Sequence, residues 1–384
     1  MREELLQLLS EAAEFEHGAC CAYLFAALSI KRLPDEGLGW TQLEQNRSWA
    51  ATLLTIAREE MGHLATVSNL SVALGGAPHY GHPPFPYVAA GCRLELRPLC
   101  AGTVEALIGL ESSERPGSGG AGDGRGVGEL YGRIRQLLGS AGARSPVMAP
   151  HASQLAVDVP STLRIARITD VASAIRAVDS IIADGDTGPQ SHQQRLFAMA
   201  TELRELARDS GPDAGRAVAR PVVANPSWPG RADRADLSNG GATIVTDPCT
   251  AAVLRLFDSA YHAMLLVLGR AAMPCGESPE QLAFLSALAR YPLMTMVLRP
   301  LGEITTTLPS GVPGRTAGPG FGTGSLTLPP DRATAWARLR DVFDELVVQC
   351  RQVEESGVMG DRGRYVGQTL AALAARVTGA ASER

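Results

Sequence analysis

Glu60 and His63 stand in a segment where Trp49, Leu53, Ile56, Glu60, His63, Val67, Leu70 and Leu74 recur at alternating spacings of four and three. On a helix this spacing places all of them on one face, so a carboxylate and an imidazole project side by side from an apolar stripe. A Glu-x-x-His pair on an inward face is the arrangement with which helical bundles hold two metal ions, and without metal it is a buried ion pair. Glu59 falls off the stripe and is expected to face solvent. Upstream, Leu5, Leu9, Ala12, Glu16, Tyr23 and Ala27 share a face, so Glu16 points inward and Glu14 does not. An unpaired buried carboxylate costs roughly several kcal/mol and normally neutralises, pairs or binds metal. Two inward carboxylates with a histidine on consecutive long helices favour metal.

Further donors follow. Val104, Leu107, Ile108 and Glu111 lie together on a third helix. Glu129 competes with Glu111, but it points away from the apolar side formed by Val127, Leu130, Tyr131, Ile134 and Leu138. It stands four residues from both Arg125 and Arg133, a pattern that suits an exposed ion pair, so Glu111 is preferred. Val171, Ile175, Val178, Ile182 and Asp186 form another stripe, which breaks at Gly185 and Gly188-Pro189 before His192, Leu196, Met199 and Leu203 form the next. Asp186 and His192 are thus expected to supply a second carboxylate and imidazole, with a helix cap and a core histidine as the alternative roles. Carboxylate oxygen and imidazole nitrogen suit iron, or manganese, better than copper(I). Four carboxylates and two histidines nearly neutralise two divalent ions, and such a centre has open positions where dioxygen can be reduced.

The elements that position these groups are helical. The periodicity predicts helices at about 2–31, 42–74, 103–114, 126–139, 168–184 and 191–208, and strand-like stretches are short, as at Ala242 to Val245. The fold class is all-α, a four-helix bundle with an additional C-terminal helical half. The proline-rich, polar stretch 220–241 separates the two, giving expected domains 1–215 and 216–384, the second packed on the first and carrying apolar helices around 250–272 and 279–302. Gly-rich tracts at 117–128 and 318–325 lack the GK[ST] of a phosphate loop and are expected to be loops. The segment GGAPHYGHPPFPYV is rich in turn formers.

Composition narrows the function. In a chain of 384 residues with 45% hydrophobic content there is enough apolar material for a sizeable core. A net charge of -5, one lysine (Lys31) and 5% aromatics argue against a nucleic-acid partner. The N-terminus is acidic where a signal peptide would be basic, and no apolar run approaches the roughly 20 residues that span a bilayer. A cytoplasmic protein without a membrane partner is expected, and a homo-oligomer is compatible with the sequence. The seven cysteines form no CxxC pair and read as buried free thiols.

The segments EFEHGACCAYLFAALSI and REEMGHLATVSNLSVALGGAP resemble the ferritin-like domain of the iminophenylpyruvate dimer synthase group, proteins of amino-acid-derived natural-product pathways such as those to violacein and the indolocarbazoles. The resemblance continues in order through IGLESSERP, VGELY, IIADGDTGPQSHQQRLF, TIVTDPCTAAVLRLFDSAYHAMLLVLG, LGEITTTLPSG and GPGFG. It implies a ferritin-like bundle in which Glu16 is the first-helix carboxylate, Glu60 and His63 are the Glu-x-x-His motif, and His192 follows the fourth helix. Asp186 stands where the family shows Glu in a Gly-Glu-Gly setting, a side chain one methylene shorter. The implied function is a non-heme di-iron oxidase or oxygenase that uses dioxygen on a small organic substrate, amino-acid-derived in the family's pathways. A metal-free scaffold or partner subunit, and iron storage or detoxification, are the alternatives.

Overall fold

The structure is a computed structural model that describes residues 1–112, 126–140, 154–155, 164–188, 190–210, 218–231 and 241–382. Residues 117–125 of the first Gly-rich tract, Arg125 among them, together with Pro189 and residues 232–240 of the 220–241 stretch, lie outside it. The chain divides into two units, Met1–Arg220 and Pro221–Arg384.

In the first unit α1 (Arg2–Ser29) and α2 (Trp40–Ala73) form a long hairpin. Then come α3 (Ala101–Glu111), α4 (Val127–Ser140), α5 (Val171–Ile182) and α6 (His192–Ser210). Both α3 and α4 pack on α1, both α5 and α6 pack on α2, α3 pairs with α6, and α4 pairs with α5. The result is a four-helix bundle whose third and fourth positions are each filled by two consecutive segments. Burial follows the stripes: every residue of the α2 stripe, from Trp49 to Leu74, is buried, as are Leu5, Leu9, Ala12, Glu16, Tyr23 and Ala27 on α1. Each fully buried Leu, Ile or Phe contributes roughly 1.5–3 kcal/mol, which is what carries helices whose inward faces also hold charged groups.

On α5 the buried face is Ser173, Ala174, Ala177, Val178 and Ile181, while Val171, Ile175 and Ile182 are only half-buried. The inward stripe is therefore rotated from the one read by side-chain bulk. Asp170 caps α5, accepting from Ser173 N at 2.7 Å, and a wider π turn, Ala183–Thr187, follows the helix. Between α2 and α3 the turn-rich segment leads into an antiparallel hairpin, β1 (Tyr87–Ala89) and β2 (Cys92–Leu94).

The second unit opens with a short parallel pair, β3 (Pro226–Ser227) and β4 (Thr243–Ile244). Asp247 caps α7 (Pro248–Ala272) by accepting from Thr250 N at 2.8 Å, with Pro248 at the first turn where its missing N–H costs nothing. α8 (Pro279–Leu288) runs through a π stretch, Ala289–Leu298, that accommodates Pro292, into α9 (Arg299–Thr305). α10 (Arg332–Glu355) and α11 (Gly360–Ser382) pack on each other, and α10 packs on α7. The predominantly helical class, with a bundle and extra C-terminal helices, is as the periodicity predicts.

Two expectations are corrected. The helix α7 and the continuous run Pro279–Thr305 are long and apolar enough to cross a membrane by length and composition. In α7, 72% of the most apolar stretch is buried, as in a core helix. The cysteines are free, but only Cys20, Cys21 and Cys350 are buried; Cys249 and Cys275 are exposed, because they stand at the start of α7 and in the turn after it.

Candidate metal centre

The inward stripes of α1, α2, α3 and α6 meet at the level where the third and fourth bundle positions are interrupted. There the structure brings Glu16, Glu60, His63, Glu111 and His192 into two adjoining triads. Glu16, Glu60 and His63 form one, Glu60, Glu111 and His192 the other, and within each the donor atoms lie within 4.8 Å of one another. Glu60 belongs to both: its Oε2 is 3.1 Å from His63 Nδ1 and its Oε1 is 2.8 Å from His192 Nδ1. His63 Nδ1 is also 3.4 Å from Glu16 Oε2, and His192 Nδ1 is 3.2 Å from Glu111 Oε2. The two rings stack at 5.6 Å, tilted by 26°.

Each histidine turns Nδ1 to the centre and Nε2 to a second carboxylate. His63 Nε2 lies 3.3 Å from Asp184 Oδ2, and His192 Nε2 lies 3.2 Å from Glu59 Oε2, which Arg195 also holds. Metal-binding imidazoles are normally oriented in this way, the outer N–H held by a carboxylate. Two tyrosines do the same for the carboxylates: the Tyr131 hydroxyl donates to Glu16 Oε1 and the Tyr23 hydroxyl to Glu111 Oε1.

Asp186 lines the cavity beside the triads, together with Phe15, Val127, Ile181 and Gly185, but the carboxylate that meets His63 is Asp184. The reason lies in α5: its buried face runs through Ile181, and one further step of three residues reaches Asp184. Gly185 lies where an added Cβ would be 3.2 Å from Glu111 Oε2, so the π turn comes close over the cluster. Glu129 is exposed on α4. Glu59, expected in solvent, is half-buried, because its long side chain reaches round α2 to His192 and Arg195 on α6. The sequence signal for Asp184 and Glu59 is weak; Tyr23 and Tyr131 stood on the apolar stripes, where a buried hydroxyl needs a partner.

The electrostatics follow from burial. Burial first, then the negative charge of Glu60, pushes Glu16 up to about 8, and the same two causes raise Glu111. Burial acts to raise Glu60 too, but His192 and the other partners outweigh it and hold Glu60 well below its usual range. Burial opposes a charged His192, yet Glu60, Glu111 and Glu59 carry it up to about 12, and His63 is likewise held well above its ordinary value. Asp184 is lowered by its bond to His63.

The donor set fits a pair of divalent ions. Three buried or half-buried carboxylates and two imidazoles converge, and Glu16 Oε2 is buried without a hydrogen-bond partner. The ferritin-like family pattern matches residues 9–204, a little over half of the chain and every donor above. The chain belongs to the ferritin-like family. The ferritin-like chain is 30% identical, over 83% of its length, to dichlorochromopyrrolate synthase of Lentzea aerocolonigenes, and 25% identical, also over 83%, to 2-imino-3-(indol-3-yl)propanoate dimerase of Chromobacterium violaceum. It spans 36% and 34% of those proteins, about a third of each. A ferritin-like protein of Caulobacter vibrioides is 21% identical, with a TM-score of 0.39 over 51% of this chain and 71% of its own. Kinship with the first two relates the chain to natural-product biosynthetic enzymes.

Proposed function

We propose that the chain is a non-heme di-iron oxidase or oxygenase acting with dioxygen on a small, amino-acid-derived substrate in natural-product biosynthesis. The observation that carries this reading is Glu60, which offers one oxygen to each of two triads that are otherwise made of one more carboxylate and one imidazole. Glu16, Glu60 and His63 would hold one ion and Glu60, Glu111 and His192 the other. Iron in this setting, with manganese accepted by the same donors, supplies the redox capacity to reduce dioxygen.

The protein's own groups perform the rest. Asp184 and Glu59 fix the histidine tautomers, and the Tyr131 and Tyr23 hydroxyls fix the carboxylate rotamers. Phe15, Val127, Ile181 and Ile182 give the adjoining cavity an apolar wall, suited to the hydrophobic body of a substrate and to keeping bulk water from the donors. The names of the two relatives, a synthase and a dimerase of an indolyl imine, support an amino-acid-derived substrate class.

The test is metal analysis of protein expressed with iron, followed by oxygen-electrode measurements with candidate amino-acid-derived imines. About two irons per chain and oxygen uptake that depends on substrate are expected. Protein that takes up no iron would favour the metal-free partner subunit, a reading to which the mutually paired His63, His192 and Glu60 lend support. A large mineral core would mean storage.

A further inference from the structure

α1 carries a second set of donors. His17 and Cys21 are separated by one helical turn and share a face, and His82, from the turn-rich segment before β1, meets them there. One ring nitrogen of each histidine and the Cys21 sulfur lie within 4.8 Å of one another, and all three residues are buried. Two donors on one tetrahedral ion, each about 2.0–2.3 Å from it, stand ~3.5 Å apart, so the triad is already near ligating distance.

The surroundings of His82 are those of a ligand. Its Nδ1 donates to Pro83 O at 2.7 Å, which places the lone pair on Nε2, the arrangement in which metal-binding imidazoles are usually held. The ring stacks on Tyr87 at 5.5 Å and 9°, lies 5.0 Å from Phe85, and meets His17 edge to face at 4.6 Å. Tyr87 is tied to α1 by its hydroxyl, which donates to Glu14 O at 2.7 Å. Gly18 permits that approach, since a Cβ there would collide with the Tyr87 hydroxyl and with Leu94. The segment that delivers His82 is therefore seated on α1 beside the triad through Tyr87.

We propose that His17, Cys21 and His82 form a metal site separate from the carboxylate triads, taking a thiophilic divalent cation of the zinc class. One thiolate with two imidazoles selects zinc over manganese or magnesium, which prefer oxygen. Binding forms a metal–sulfur bond and releases the Cys21 thiol proton to solvent; nothing is oxidised or reduced. The fourth tetrahedral position is left for water or another small ligand. The ion clips the segment between α2 and β1 to the helix that supplies Glu16.

The experiment uses the full chain, stripped with chelator and titrated with cobalt(II), whose bond to a thiolate gives a charge-transfer band that carboxylate and imidazole donors cannot give. A single equivalent of this band is expected, bleached by one equivalent of zinc. It should vanish in Cys21→Ser and persist in Cys20→Ser, whose sulfur faces Ala57 O at 3.4 Å. It should also persist in Glu60→Gln, which separates this site from the proposed iron centre. A parent protein without the band, or a band that survives Cys21→Ser, overturns the proposal. If Cys21→Ser does not fold, the parent titration and His82→Ala decide it.

Discussion

His63, His192 and His17 are buried alike, and burial pushes each toward the neutral form, yet they end on opposite sides of the ordinary histidine value. His63 and His192 face Glu60 and further carboxylates, and are held charged. Burial first, then the facing His82, drives His17 well below its usual range, so it is neutral. Burial makes an imidazole neutral, as at His17, unless facing carboxylates outweigh it, as at His63 and His192. The consequence for metal is direct. In the carboxylate triads an ion would have to displace protons from His63, His192 and Glu16, whereas His17 has no such proton to give up.

The largest effect that would break this contrast is at Glu60. Glu60→Ala removes an oxygen from both triads, so iron content should fall to background while the cobalt–thiolate band is retained. His63→Ala should remove iron from its own triad. Unchanged iron content by metal analysis in either folded variant would sink the assignment of the centre.

A smaller effect is expected from the groups behind the ligands. Asp184→Asn and Glu59→Gln each leave all five central donors in place but loosen a histidine, and should weaken iron binding by about 10-fold or somewhat more. Asp186→Asn, on the cavity wall, should change affinity little, and the reverse order of Asp184 and Asp186 would restore Asp186 as the ligand. Likewise Glu111→Gln should lower iron affinity or oxygen reactivity far more than Glu129→Gln, which alters an exposed residue.

The sequence made Glu16, Glu60, His63 and His192 legible because each stands in a long stripe of alternating three and four spacing, and burial runs along those stripes. Asp184 was not legible for a physical reason. α5 turns its small residues, Ser173, Ala174 and Ala177, toward the bundle, where the close approach of helices leaves little room. Reading bulk as burial rotates the stripe to Val171, Ile175 and Ile182 and carries it on to Asp186, and the π turn shifts the register again. The spacing of His17 and Cys21 was in plain view but reads equally as packed thiol and core histidine until His82 arrives from a distant segment. α10 and α11 were not among the predicted helices: on α10 Ala335, Trp336, Leu339, Val342, Phe343 and Leu346 keep helical spacing, but arginines and aspartates on the other faces dilute the signal.

The smallest expected effect is on stability against pH, and its sign separates the two donor sets. In metal-free protein Glu16 moves from 4.5 to about 8, so the folded chain keeps a proton there through a window in which the unfolded chain has lost it. For a raised acid the unfolded state binds fewer protons, so this contribution is full below about 4.5 and is lost as pH climbs toward about 8. His192, raised from 6.5 to about 12, adds a decline of the same sign above about 6.5. Glu60, which is lowered, changes nothing in that range, because its contribution is lost only as pH falls below its ordinary value. His17, which is lowered, adds a rise confined to pH below about 6.5, so the melting temperature of metal-free protein should drop by several degrees between about pH 6.5 and 8. Glu16→Gln should flatten the lower part of that slope, because the amide keeps an oxygen for the Tyr131 hydroxyl but has no proton to lose. Cys21→Ser should leave the slope as it is. With iron bound the slope should reverse, since the ions require the deprotonated donors and hold them more tightly as pH rises. Calorimetry of the metal-free parent would decide the matter: a melting temperature that rises through this window would mean that the protons sit elsewhere and that the two donor sets do not differ in the way their histidines indicate.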